Sequence, residues 1–365
     1  MKSTYFLILI YISLFACAQN NTPVNDAHSY QLIVEDLDNP WGFVFLPDGS
    51  MLINEKEGKM IHFKNGKKTE VSGLPEIYVR GQGGLMDIII DPNYKSNGWL
   101  YFSYASAKGS GSGGNTAVMR AKLRGNALTQ QQLLYKATPN TTKGQHFGSR
   151  LCFDENGYLF FSIGERGERD INPQDITRDG GKIYRINPDG SIPNSNPFIN
   201  SKNAKTAIFS YGHRNPQGMS LHPETKQLWI HEHGPKGGDE INIIKEGKNY
   251  GWPKVTYGKN YSGTTITEHT TLPNMEEPLY QWTPSIAPSG MAFINSDKYG
   301  AWKGNLLVGS LKFQYLARCV MDDNQVVYQE KLLADLGRVR SVNQGPDGFI
   351  YVGIENFGIV KLILN

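Results

Sequence analysis

Residues able to do chemistry crowd into one stretch, Ile208 to Pro253, which reads YGHRNPQGMSLHP, then LWIHEHGPKGGDEIN, then NYGWP. Two apolar strand-like runs, Met219 to Leu221 and Gln227 to Ile230, are bordered by cationic, acidic and glycine-rich loops. That is the pattern of a rigid sheet presenting functional groups at its ends. Arg214 and Asn215 offer donors to an anion. In HGPKGGDEIN, Gly234-Pro235 can turn carbonyls outward and Asp239 and Glu240 add carboxylates, a donor set suited to a hard cation such as calcium. A glycine-rich turn with solvated acids accounts for the same residues equally well. His231 and His233 alternate along a strand end, but no third nitrogen or sulfur ligand stands at zinc-site spacing. Outside the stretch, His146 follows Gln145 in a glycine-flanked loop, where an imidazole can serve as a general base near neutral pH. A lone loop histidine is more often structural.

The elements that must position these groups are repeats of a loop, an apolar strand, a turn and a second apolar strand. Copies occur at Trp41 to Glu55, Gly83 to Ala105, Gly148 to Glu165, Gln217 to His233, Ser289 to Lys312 and Val339 to Asn356. Spacings of about 40 to 70 residues fall in the range of propeller blades and solenoid coils. Alternating apolar positions and Asp-Gly or Asn-Gly turns make the units β-hairpins. The fold expected is all-β, a six-bladed propeller of four-stranded antiparallel blades over residues 31–365. Its ring would close by pairing the last strand, Gly358 to Leu362, with the first blade near Tyr30 to Val34. In such a ring the loops before each first strand meet at one end, close to the axis. They carry Pro40-Trp41, Gln82, Gln145-His146, Arg214-Asn215, Pro288-Ser289 and Arg338 with Arg340; loops after the second strands add His231 to Gly238 and Lys312. Four cations, Arg214, Lys312, Arg338 and Arg340, would then surround one axial pocket, a costly concentration unless a polycarboxylate or phosphate sits among them or each pairs with a nearby acid.

Lys and Arg total 37 against 34 Asp and Glu, so the net charge of +3 gives no argument for a nucleic-acid or acidic-membrane partner. Lys2, the apolar run Tyr5 to Ala16 and then Cys17 read as a secretory signal peptide, residues 1–17, ending in a cysteine that resembles a bacterial lipoprotein box. Residues 18–30 are polar and read as a tether. The expected location is the bacterial cell envelope, periplasmic, with a lipid anchor at Cys17 as one option. Cys152 and Cys319 sit in apolar strand-like surroundings and read as buried free thiols.

Several motifs together resemble the soluble quinoprotein sugar dehydrogenases that use pyrroloquinoline quinone (PQQ), especially the bacterial aldose sugar dehydrogenase branch. They are GQGGLMD (Gly81 to Asp87), QHFGSRL (Gln145 to Leu151), GGKIYRINPDGSIPNSNPF (Gly180 to Phe198), YGHRNPQG, HEHGPKGGDEIN, NYGWP, GSLK (Gly309 to Lys312), and RVR followed by GPDG. The resemblance spans about residues 35 to 362 and implies a six-bladed propeller that oxidises aldoses at C1. It implies that His146 takes the proton of the anomeric hydroxyl while hydride passes to the quinone, and that Arg214 polarises the quinone carbonyl. Gln82, Asn215, Tyr261, Lys312, Arg338 and Arg340 match positions holding the tricarboxylated cofactor. Gly234 and Pro235 match the carbonyls of a cofactor calcium, and Glu240 and Tyr250 a second, structural calcium. In the glucose dehydrogenase branch an aspartate precedes the base; Gln145 stands there here, which leaves the orientation of His146 by a carboxylate open. The loops that shape the sugar pocket and dimer of that branch are shorter, implying a broader aldose range and a monomer that hands electrons to an unidentified acceptor. Two other classes remain: a non-catalytic propeller that binds secreted signals, and a calcium-dependent lactonase or hydrolase.

Overall fold

Hairpin turns and alternating apolar runs assemble, in the computed structural model that describes residues 28–365, into 24 strands forming six four-stranded antiparallel sheets. This is the six-bladed propeller expected from the repeats. Each repeat copy supplies the two inner strands of one blade. The innermost strands are Pro40–Phe45, Leu85–Ile90, Leu151–Phe153, Pro216–Leu221, Pro288–Phe293 and Val339–Gln344. The second strands Met51–Glu55, Leu159–Ile163, Leu228–Glu232, Leu306–Ser310 and Ile350–Ile354 are buried at every residue, because neighbouring blades cover both their faces. An outermost strand such as Lys67–Glu70, KKTE, is largely exposed and carries no apolar side chain.

The ring closes where His28–Glu35 pairs with Gly358–Leu364, placing Tyr30 opposite Leu362 and Leu32 opposite Val360. The two chain ends meet as expected, with a correction. The N-terminal strand is the fourth strand of the last blade, not part of the first. That strand starts at His28, so residues 28–30, assigned to the tether, belong to the sheet. The signal segment with Cys17 and the remainder of the tether lie outside the described residues. Among the described residues no helix is long and apolar enough to cross a membrane. Cys152 and Cys319 are free thiols, and burial pushes both up to about 12.

One side chain at the axis reaches every other blade. Arg150, from the third blade, donates to the carbonyls of Gln217 (2.7 Å), Arg340 (2.8 Å) and Trp41 (3.2 Å), to Asp87 Oδ1 (3.1 Å) and to Ser289 Oγ (3.5 Å). Its guanidinium also lies 4.1 Å from the centre of the Trp41 ring. One buried cation thus contacts all five other blades. Arg150→Met is expected to lower the unfolding free energy by about 3–5 kcal/mol, because Asp87 is left buried and uncompensated. Urea denaturation followed by tryptophan fluorescence measures it.

Candidate active site

A cleft of about 660 Å³ opens at the end of the ring where the innermost strands begin, and Gln82, His146, Glu165, Arg214, Trp252 and Tyr261 line it. A groove of about 900 Å³ lies at the opposite end, between the first two blades. Its only imidazole, His62, is bonded on both ring nitrogens, to Asn126 and Ser50, which leaves the cleft as the place where reactive groups converge.

His146 sits at the turn entering the third blade with φ of 58°, and its N–H donates to Gln82 Oε1 (2.8 Å). Its Nδ1 is hydrogen-bonded to Glu165 Oε1. The carboxylate left open by Gln145 is therefore supplied by Glu165, which leaves the second strand of the same blade. A carboxylate accepting Nδ1–H fixes the tautomer in which Nε2 carries the lone pair, the form a base needs. Burial, then the positive charge of Arg214, holds the imidazole below its ordinary value, with Glu165 pulling the other way.

Glu165 is one instance of a repeated device that sequence reasoning missed. Four blades end their second strand in a glutamate that receives the chain entering the same blade. Glu55 accepts from the N–H of Asp38 (2.7 Å). Glu232 accepts from His213 Nδ1 (2.8 Å) and from the N–H of Arg214 (2.6 Å). Glu355 accepts from Arg338 Nε (2.7 Å) and Arg340 Nε (2.8 Å). The signal was legible in the repeat copies, whose second strands end MLINE, SIGE, WIHE and GIE.

The same glutamates redistribute the expected ring of cations. Arg340 is buried and spent on Glu355, Gln217 Oε1 (3.1 Å) and Ser289 Oγ (3.4 Å), and Arg338 shares Glu355. Arg214 and Lys312 form no ion pair among the described residues. Lys312 is exposed beside Phe313, its Nζ 4.8 Å from the ring centre. Neither it nor Arg338 nor Arg340 lines the cleft; all three lie on the fifth and sixth blades. Of the other expected residues, Gln82, His146, Arg214, Pro235 and Tyr261 share the cleft. Asn215 is buried behind it, its Oδ1 accepting from the Gly148 N–H (3.0 Å) and its Nδ2 without a partner.

Arg214 Nη1 donates to the carbonyls of Gly234 (2.7 Å) and His233 (3.1 Å), and its guanidinium stands 5.4 Å from the Trp252 ring centre. Behind it is a second cavity of about 10 Å³, room for one water or ion, bordered by Gly234, Glu232, Glu240 and Tyr250. Burial, then the neighbouring Glu232, pushes the Glu240 carboxyl up to about 8. The Tyr250 hydroxyl is used up between the Ile243 carbonyl (2.6 Å) and the Lys245 N–H (2.9 Å). The His231 and His233 pair is not a metal site, since Nε2 of each bonds a carbonyl of the next blade, Gly290 (3.1 Å) and Pro288 (2.7 Å).

The family model described as Glucose / Sorbosone dehydrogenase matches residues 37–361. The chain belongs to the glucose/sorbosone dehydrogenase family. This dehydrogenase is therefore a sugar oxidoreductase. It is 41% identical over 330 residues to the aldose sugar dehydrogenase YliI of Escherichia coli, covering 88% of each chain. The crystal structure of the soluble aldose sugar dehydrogenase from Escherichia coli in its apo form superposes with a TM-score of 0.88 at 37% identity, covering 93% of this chain and all of that one. The PQQ-bound form of an aldose sugar dehydrogenase from Streptomyces coelicolor gives 0.74 at 27% identity, covering 93% and 98%.

Proposed function

We propose that this dehydrogenase oxidises aldoses at C1 to lactones with PQQ and calcium, using His146 as the base. The observation that carries the reading is the Glu165-held imidazole of His146 in the same cleft as the carboxylate-free guanidinium of Arg214. Arg214 is the free cationic donor in the cleft for a tricarboxylate; Asn215, with its unpartnered amide behind the cleft, and Lys312 and Arg338 on the fifth and sixth blades would take part only for a cofactor that reaches beyond the cleft lining. Gln82 and Tyr261, which line the same cleft, would flank it. Main-chain oxygens of Gly234 and Pro235 would hold the cofactor's calcium, and Glu240 with Tyr250 the second. When bound, the quinone supplies the two-electron acceptor and calcium the Lewis acid that polarises it.

His146 Nε2 takes the proton of the anomeric hydroxyl as C1–O becomes a carbonyl. Glu165 keeps the ring in the receptive tautomer and stabilises the imidazolium that results. Arg214, anchored on the carbonyls of His233 and Gly234 and lining the cleft, offers its unpaired positive charge to negative charge developing there. A hydrolase reading would look to the Ser210, His213 and Glu232 relay, in which His213 Nε2 lies 2.9 Å from Ser210 Oγ. Both Ser210 and His213 are completely buried, so that relay meets no substrate.

The test is to load purified protein with calcium and quinone and follow dye reduction with a panel of aldoses. Quinone-dependent turnover with at least one aldose is expected; none with any aldose would refute the reading. Chelation is expected to lower the melting temperature by about 5 °C, and Glu240→Gln to abolish that difference. Differential scanning calorimetry with and without calcium reads both. A monomer passing electrons to a separate acceptor, exported and anchored by lipid at Cys17, completes the proposal. Cys17→Ser is expected to move the protein from the membrane fraction to the soluble envelope fraction.

A further inference from the structure

Arg166 follows the carboxylate partner of the base and is 1% exposed, yet it belongs to no ion pair among the described residues. Its guanidinium is caged by backbone oxygens instead. Nη2 donates to the carbonyls of Lys143 (2.8 Å) and Gly114 (3.2 Å), Nη1 to that of Gln145, and Nε has no partner. The guanidinium carbon lies 3.4 Å from the centre of the Phe147 ring. Phe147 is in turn pressed against Gly83, where a Cβ would sit 2.5 Å from the ring. These contacts bracket His146, binding the residue before it and stacking on the residue after it. The bracketed segment is unusual, with His146, Gly148 and Ser149 at φ of 58°, 64° and 84°. Backbone of that kind persists only where its surroundings hold it.

We propose that Arg166 is a positioning residue for the base: its carbonyl-caged guanidinium fastens the segment carrying His146 and places an unpaired positive charge beside the imidazole. A buried guanidinium without a carboxylate is a costly way to fill space, and an apolar side chain of similar volume would do so more cheaply. The cost is explained if the charge is used. The charged and titratable groups facing His146 are Glu165, Arg214 and Arg166, with the buried His233 behind Arg214. Lys143 paired with Glu168, and Arg169 and Asp170, stand at the rim. Of these, Arg214 and Arg166 favour the neutral ring and Glu165 the charged one. Arg166 thereby helps keep the lone pair on Nε2 while its carbonyl bonds keep that nitrogen aimed into the cleft.

The inference rests on His146 being the base, so the deciding readout is one that needs no turnover. NMR titration of the imidazoles in histidine-labelled protein, with the His146 signal assigned through His146→Gln, compares wild type, Arg166→Met and Arg166→Lys. Arg166→Met removes charge and fork; His146 is expected to titrate higher than in wild type. Arg166→Lys keeps charge but loses the fork; His146 is expected to titrate as in wild type. In quinone-loaded protein both variants are expected to lose about tenfold to a hundredfold in kcat with little change in KM. A wild-type titration in Arg166→Met, or the same shift in both variants, would overturn the proposal. If Arg166→Met fails to fold, Arg166→Lys decides alone, and wild-type kcat in that variant overturns it. Absence of turnover in every protein would count against the quinone reading and leave the titration to judge Arg166.

Discussion

His146→Gln is expected to lower kcat by about two to four orders of magnitude while the protein still folds and binds quinone. The amide retains side-chain bulk and can keep a hydrogen bond to Glu165, but it cannot accept and hold a proton. The pH dependence separates loss of the base from general damage. Burial and Arg214 hold the wild-type imidazole below its ordinary 6.5, so the basic form persists to lower pH than a free histidine would allow. Activity should fall only as pH drops through that depressed value, and the acid limb of kcat should lie below 6.5. His146→Gln should lack the limb altogether. Steady-state dye reduction across pH, in both proteins, measures size and sign together.

Arg214→Met is expected to cost about 10²- to 10³-fold in kcat. The guanidinium is buried, carries no carboxylate, and uses only Nη1 on the His233 and Gly234 carbonyls. Its charge is left without a carboxylate partner at the lining of the cleft. Removing the charge also relieves His146, so the acid limb should move to higher pH in this variant. Arg214→Lys keeps a cation without the planar fork and should restore the position of the limb but only part of the rate. Stopped-flow and steady-state rates on quinone-loaded variants check both effects.

The inner half of each blade was readable because a strand covered on both faces must be apolar along its whole length, as in Leu306–Ser310 and Ile350–Ile354. Turn residues then punctuate the pattern. The outer half was not, because strands such as Lys67–Glu70 face solvent and bear no pattern distinct from a loop. Placing His146, Arg214 and Gln82 at one end followed from the repeat alone. Which partners they take did not. The glutamate ending the second strand recurs legibly in the repeats, but that Glu165 takes His146 follows only from the fold, which lays that strand end against the turn entering the first strand. The same geometry takes Arg340 out of the expected cationic funnel, since Glu355 occupies the matching place in the last blade. Pairing between residues 15 or 19 positions apart is a property of the blade's closure, invisible to local spacing.

The most direct measurement of the central claim is a single anaerobic turnover. Protein loaded with calcium and one equivalent of quinone is mixed with an aldose and no other acceptor, and the quinone spectrum and lactone are followed together. The expected result is bleaching of the oxidised quinone with one lactone formed per site, fast in wild type and slowed at least a hundredfold in His146→Gln, on the order general-base loss produces. A quinone that stays oxidised with every aldose, or equal rates in the two proteins, would contradict the account.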